Sequence, residues 1–160
     1  MNPSFHSPVT IYLLEKNIPF RLFQHAGPIH SLEQAAQERG QSPDQVVRSL
    51  LFRLSRGRYV MVLITGKRQV AWPVLRKHLG HSRLTLATEA EVLAATGYPL
   101  GAVSPFGLPQ PIHILVDESI FSQPEISIGS GVRGTTVLLR TEDCARALES
   151  FDRGFFALMF

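Results

Sequence analysis

Cysteine is nearly absent. Cys144 is the single thiol among 160 residues, so no disulfide framework holds the fold, and a reducing cytoplasm is the expected compartment. Long apolar runs are missing too. The longest, Tyr59 to Ile64 and Phe155 to Phe160, fall far short of the ~20 residues needed to cross a bilayer. The start, Met1-Asn-Pro-Ser-Phe-His, lacks a basic stretch followed by an apolar one, so no membrane association is expected. Charged residues amount to only 18% against 44% apolar, which excludes a disordered chain and predicts a single domain over residues 1–160.

What charge there is lies unevenly. Residues 1–83 hold 12 Lys/Arg against 4 Asp/Glu, a balance of +8, while residues 84–160 hold 4 against 9, a balance of −5. Arg48, Arg53, Arg56, Arg58, Lys67, Arg68, Arg76, Lys77 and Arg83 supply most of the excess. If they share a face, phosphate is their natural partner, because neutralising it releases condensed counterions. The plainer reading is a set of solvated helix and hairpin surfaces.

Short elements alternate along the chain. Helical spacing over Pro8 to Lys16 stops at Asn17-Ile-Pro, and Phe20 to His25 reads as a strand. Ser31 caps a helix ending at Arg39-Gly40, and Ser42-Pro43-Asp44 opens another. Two β-rich runs around Ser55-Arg56-Gly57 predict a hairpin, whose second strand is apolar on both faces from Met61 to Ile64 and so belongs inside a sheet. Helices from Pro73 to Leu79 and Glu89 to Thr96 flank a strand over Arg83 to Leu86. Strands at Ile112 to Val116, Glu125 to Ile128 and Thr135 to Leu139 precede a helix from Thr141 to about Ser150. Helices gather early and strands late, which favours an α+β domain over a doubly wound sheet.

Residues 97–111 contain seven glycines and prolines in fifteen positions, so no regular element survives there. Such a loop either brings backbone amides to a ligand, where they can stabilise an oxyanion, or serves as a rigid connection. Gly129-Ser130-Gly131-Val-Arg133-Gly134 reads as a hairpin turn.

Gly101-Ala-Val-Ser-Pro105-Phe-Gly107 preceded by Ala95-Thr-Gly97-Tyr98, with Gln45-Val-Val-Arg48-Ser49-Leu50, Val116-Asp117 and Gly129-Ser-Gly131, resembles the YbaK/prolyl-tRNA-synthetase-associated domain family over nearly the whole chain. The resemblance implies a mixed, mostly antiparallel sheet curled into a partial barrel with helices packed outside. It also implies a pocket between the glycine–proline loop and the strand near Arg48. The implied activity is aminoacyl-tRNA deacylation: hydrolysis in trans of the ester on a mischarged tRNA, in translation quality control. By the same resemblance, Gly101, Ala102, Val103, Ser104 and Pro105 bind the aminoacyl-ester end, their amides facing the carbonyl, with Phe106 and Gly107 completing the loop. A ribose hydroxyl and a positioned water assist, so no side-chain nucleophile is needed. Such chemistry gains most from donors aimed at the developing negative oxygen.

The family's usual lysine is replaced here by Arg48, which keeps the charge but cannot act as a base. Retained binding is expected, with turnover depending on whether the cation touches the reacting atoms. Gly129, Ser130 and Gly131 complete the wall. Ser104 and Ser130 are either hydrogen-bond donors to substrate or turn serines, and Asp117 either holds the α-ammonium or caps a turn. Glu142 and Asp143 oppose a thiolate at Cys144, no Gly-x-Ser-x-Gly elbow surrounds Ser104, and the six histidines show no metal-ligand spacing. No metal and no cofactor are expected. Trp72, Phe155, Phe156, Leu158 and Met159 read as core or as a homodimer surface. The expected partners are the aminoacyl-tRNA acceptor end and a synthetase. The alternatives are a catalytically inactive tRNA- or synthetase-binding module and, should the basic residues prove scattered, a small-molecule-binding domain.

Overall fold

Every residue from Val60 to Thr65 is buried, and such a strand needs cover on both faces. The computed structural model, which describes residues 5–158, supplies it with two hydrophobic clusters. The strand β3 (Arg58–Thr65) pairs antiparallel with β2 (Val47–Ser55) across a turn in which Gly57 takes φ +75. On its other side it pairs parallel with β5 (His113–Asp117), which pairs parallel with β8 (Asp152–Gly154). The short β4 (Thr85–Leu86) closes the far edge beside Phe52 and Arg53. β3 therefore stands third of five, in the order β4-β2-β3-β5-β8, as its apolar run predicts.

Side-chain alternation divides the packing. Phe52, Val60, Val62, Ile64 and Leu115 meet Leu75 of α3 (Trp72–Leu79), together with Phe156 and Trp72. Val47, Leu51, Met61, Leu63, Ile114 and Val116 face the larger cluster. There they meet Val9 and Leu13 of α1 (Pro8–Glu15), Val92 of α4 (Glu89–Thr96), Cys144 and Ala147 of α5 (Thr141–Leu148), and a second sheet. That sheet is antiparallel, with β7 (Thr135–Arg140) between β1 (Arg21–Gln24) and β6 (Glu125–Gly129). The two sheets touch through one parallel bridge, Val46 to Ser127, and the described strands form no closed barrel. The fold is α+β with one mixed and one antiparallel sheet.

Local chemistry explains most boundaries. Ser7 and Thr10 form a capping box on α1, Ser31 accepts from the Gln34 N–H at the start of α2 (Leu32–Glu38), and Thr88 and Glu91 form a second box on α4. Three expectations differ from the structure. Ser42-Pro43-Asp44 opens only a 3-10 turn, Pro43–Gln45, because the β-branched pair Val46-Val47 turns extended at once. The strand expected over Arg83 to Leu86 shrinks to two residues. The C-terminal segment, whose apolar residues read as core or as a homodimer surface, also adds an unexpected strand, β8, and then ties itself down: the N–H groups of Phe156 and Ala157 donate to Asp117 Oδ1 at 2.7 and 3.1 Å, and Ala71 N–H donates to Phe156 O. Phe156 is core and Phe155 is 73% exposed, while Met159 lies outside the described residues.

Asp152 Oδ2 accepts from Nε2 of both His78 and His113, at 2.8 and 2.9 Å, clamping β8 to α3 and β5. The His78 bond holds the Asp152 carboxyl below its ordinary 3.8. A depressed carboxyl stabilises fully above its unfolded pKa and loses that contribution as pH falls toward the folded value. Asp152→Asn should therefore lower the urea midpoint near pH 6 and flatten its decline below about pH 4. Equal acid sensitivity of variant and parent would refute the clamp.

Candidate active site

The chain leaves α4 at Gly97 and cannot re-enter regular structure before β5. Tyr98 anchors this loop: its buried hydroxyl donates to Phe106 O at 2.5 Å and also contacts Gly107 O at 3.2 Å, and burial pushes its pKa up to about 12. Pro99 to Ala102 form a tight turn, with Ala102 N–H donating to Pro99 O at 3.1 Å and Gly101 at φ +89, a conformation in which a side chain is strained. Ser104 Oγ, fully buried, accepts from Phe106 N–H, and Phe106 stacks on Tyr12.

Onto this loop docks the β6–β7 hairpin. Gly131 N–H donates to Ala102 O at 2.9 Å, and Arg133 Nε donates to Leu100 O at 2.8 Å. Gly129 lies so close to Val103 that a Cβ there would overlap its carbonyl oxygen. Ser130 Oγ is consumed within the hairpin, donating toward the carbonyls of Val132 and Thr135 and accepting from Val132 N–H.

Between the docked loops, the first residues of β2, and α2 with the segment before it, runs a cleft of about 850 Å³. Of the residues expected at the site, Arg48, Gly101, Val103 and Gly129 line it. Ala102, Ser104, Pro105, Phe106, Gly107, Ser130 and Gly131 sit behind that wall and shape it. Asp117 is elsewhere: its carboxylate caps Ser119 N–H and holds the tail amides, beside a different depression. Its turn-capping alternative is the one realised. The nine cations from Arg48 to Arg83 do not converge on the cleft; Arg48 alone lines it, while Arg53 pairs with Glu91, Lys67 with Glu33 and Arg68 with Asp44.

Two features set the cleft's chemistry. Among the described residues no protein group accepts from the backbone N–H of Gly101 or Val103, so both amides stand available, whereas that of Ala102 is taken by the turn. Among the described residues, no Asp or Glu lines the cleft. Its charge comes from Arg39, Arg48 and Arg133. Arg48 Nε donates to Gly66 O at 2.7 Å and its Nη2 donates to Arg68 O, fixing the guanidinium against the turn after β3. Nη1 has no acceptor among the described residues, and burial lowers the pKa of the group. Cys144 is buried in the core with its thiol pushed up to about 12, which removes it as a nucleophile.

His25, Arg39, Ser49 and Ser127 also line the cleft and were not expected there. Arg39 reads in the sequence as a helix terminus and His25 as a strand end. Arg39 joins the other two, bonding Ser127 Oγ of β6 through Nη2 and His25 through Nη1. Arg133, within the glycine cluster, carried a local signal that the hairpin reading absorbed.

Gly129→Ala should cost about 2–3 kcal/mol, because the new methyl meets backbone rather than a yielding side chain. Tyr98→Phe should cost about 1–2 kcal/mol through the unpaired carbonyls it leaves. Urea unfolding measures both; a neutral Gly129→Ala would show that loop and hairpin are not in contact.

Comparison with known proteins now assigns the family. Residues 26–147 match the model of the aminoacyl-tRNA editing domain. The chain is 33% identical over 105 residues to a proline–tRNA ligase of Pseudothermotoga lettingae, covering 66% of this chain but only 18% of the ligase. It is 26% identical over 145 residues to the multifunctional Ser/Thr-tRNA deacylase ProXp-y of Escherichia coli K12, covering 88% of this chain and 86% of that protein. Its fold matches the crystal structure of a candidate trans-editing enzyme for prolyl-tRNA synthetase, with a TM-score of 0.86 at 23% identity over 94% of this chain and 95% of the other. With most of its length matched, and in the order in which the loop and hairpin build the cleft, the chain belongs to the aminoacyl-tRNA editing domain family.

Proposed function

We propose that this protein hydrolyses the ester of mischarged aminoacyl-tRNA in trans. The observation that carries the reading is the pair of unclaimed amides, Gly101 and Val103, on the wall of a cleft without carboxylates. Water adds to the ester carbonyl, the charge that develops on its oxygen is met by these N–H groups, and the bond to the ribose oxygen then breaks. Free amino acid and deacylated tRNA leave. The ribose carries a neighbouring hydroxyl that can pass the proton to the departing oxygen, and no protein nucleophile enters the sequence of bonds. Ala102 acts here by locking the turn. Arg48 braces the cleft and offers Nη1 to the terminal nucleotide. Ser104, Phe106, Gly107, Ser130 and Gly131 support the wall from behind.

In the same reading the two sheets make up a partial barrel whose seam is the Val46 to Ser127 bridge, and the cleft opens along that seam. The likeness to proline–tRNA ligases supports a synthetase as a companion that generates the mischarged substrate. One observation favours a second reading, tRNA binding without turnover: the guanidinium that replaces the family's lysine is already anchored on two carbonyls.

Deacylation of a panel of aminoacyl-tRNAs, headed by seryl- and threonyl-tRNA, separates the two. The wild-type protein and Arg48→Lys should release amino acid from at least one pair at rates within a few-fold of each other, and Arg48→Ala should be about 10-fold slower. Gly101→Ala, which strains the turn, should lower kcat about 10-fold or more with little change in KM. Tight tRNA binding with no ester loss in either the wild type or Arg48→Lys would select the binding module.

A further inference from the structure

Arg39 ends α2, where a long charged side chain ordinarily reaches solvent. Here its guanidinium is half-buried in the cleft wall, and every group it donates to is neutral. Nη1 lies 2.9 Å from His25 Nε2. Arginine only donates, so that ring nitrogen accepts and His25 is neutral with its proton on Nδ1, directed to Glu38 Oε1 at 3.0 Å. Nη2 donates to Ser127 Oγ at 3.1 Å, and Nε contacts Gln41 Oε1 at 3.4 Å. His25 is held in turn by an edge-to-face contact with Phe23 and is nearly sealed from water. The guanidinium is thus fixed from α2, β1 and β6 at once.

Three of its five N–H groups are occupied, leaving one on each terminal nitrogen, a fork suited to two oxygens of a single anion. No carboxylate stands ready to use it. Glu38 bonds to the far side of His25, and no acidic residue lines the cleft. Arg53, Lys67 and Arg68, by contrast, each have a carboxylate partner. A half-buried cation held only by neutral acceptors keeps most of its desolvation cost until an anion arrives.

The aminoacylated end of a tRNA offers few anions. The ester, the ribose hydroxyls and the bases are neutral, the α-amino group is cationic, and only the phosphodiesters are negative. We propose that Arg39 is the phosphate-binding residue of the cleft, gripping a phosphodiester of the last acceptor nucleotides. Glu38 and His25 act as positioning residues that orient its fork, and Ser127 fixes it from the opposite wall. The grip sets the register that presents the ester to Gly101 and Val103. This assignment rests on the deacylase reading for its substrate, and the choice of probes separates the two.

Binding of deacylated tRNA across a salt series, and hydrolysis of two esters of the same amino acid, aminoacyl-tRNA and phosphate-free aminoacyl-adenosine, test it. Arg39→Gln should weaken tRNA binding about 10-fold near 0.1 M salt and reduce the slope of log K against log salt by about 1. The ratio of kcat/KM for the tRNA ester over the nucleoside ester should fall about 10-fold, through KM. Arg39→Lys should recover the slope but not the full affinity, and Ser127→Ala, read in its place should Arg39→Gln fail to fold, should move both quantities the same way by less. An unchanged salt slope, or equal losses on both esters, would overturn the assignment while leaving the deacylase intact. If the wild type hydrolyses neither ester, the deacylase reading fails, and the salt slope alone then decides Arg39: a change of about one retains the phosphate site, and no change ends it.

Discussion

The contact on which the site depends is backbone against backbone. Gly129 lies flat on the carbonyl of Val103, and Gly131 donates its N–H to the carbonyl of Ala102, so at these two glycines a hairpin from one sheet meets a loop between helix and strand directly through the main chain. Two consequences follow from that closeness. Ala102 is pinned through both its N–H, in the turn, and its C=O, in the hairpin contact, while the amides on either side of it have no partner among the described residues. An oxyanion site needs donors that do not reorganise when charge develops, and a peptide held from two directions supplies that rigidity. Behind it, Tyr98 ties the far end of the loop through carbonyls rather than through any group a ligand could displace.

Much of this was legible in the residues, for identifiable reasons. Gly101 has to be glycine for a turn with positive φ, and that need is written locally. The apolar run at Met61 to Ile64 announces a strand covered on both faces, and the cap at Ser31 is local chemistry. What escaped was set by distance along the chain. β8 has three residues, two of them charged, and exists because Asp117 gathers the amides of Phe156 and Ala157 from 39 and 40 positions away. Arg39 meets Ser127 across 88 positions, a contact that no periodicity encodes. Asp117 left two roles open, since a carboxylate at a strand end can hold an α-ammonium or cap a turn: Oδ2 accepts from Ser119 N–H as a turn cap, and Oδ1 accepts from the tail amides of Phe156 and Ala157.

The charge asymmetry of the sequence also takes on a different meaning in three dimensions. A basic first half suggests a broad phosphate-binding face, yet several of its cations are neutralised locally, some by acidic residues of that same half, such as Glu33 and Asp44. What distinguishes the cleft is the kind of cation it holds. Arg39 and Arg48 are half-buried and rest on ring nitrogen, hydroxyl, amide and carbonyl acceptors rather than on carboxylates. Net charge says how many positive groups the chain has; the partners of each group decide which remain available to a ligand.

That distinction bears on the proposed ester hydrolysis. Cys144 is sealed in the core and held as a thiol, Ser104 and Ser130 have their hydroxyls committed to backbone, and among the described residues no Asp or Glu lines the cleft. What the cleft holds instead is two kinds of fixed positive potential: the backbone N–H groups of Gly101 and Val103, and the guanidinium groups of Arg39, Arg48 and Arg133. Ester hydrolysis suits such a division, because its leaving group needs little help and its barrier lies mainly in the charge that builds on one oxygen. Arg48, resting on the carbonyls of Gly66 and Arg68, keeps a permanent charge at a fixed place in the cleft wall.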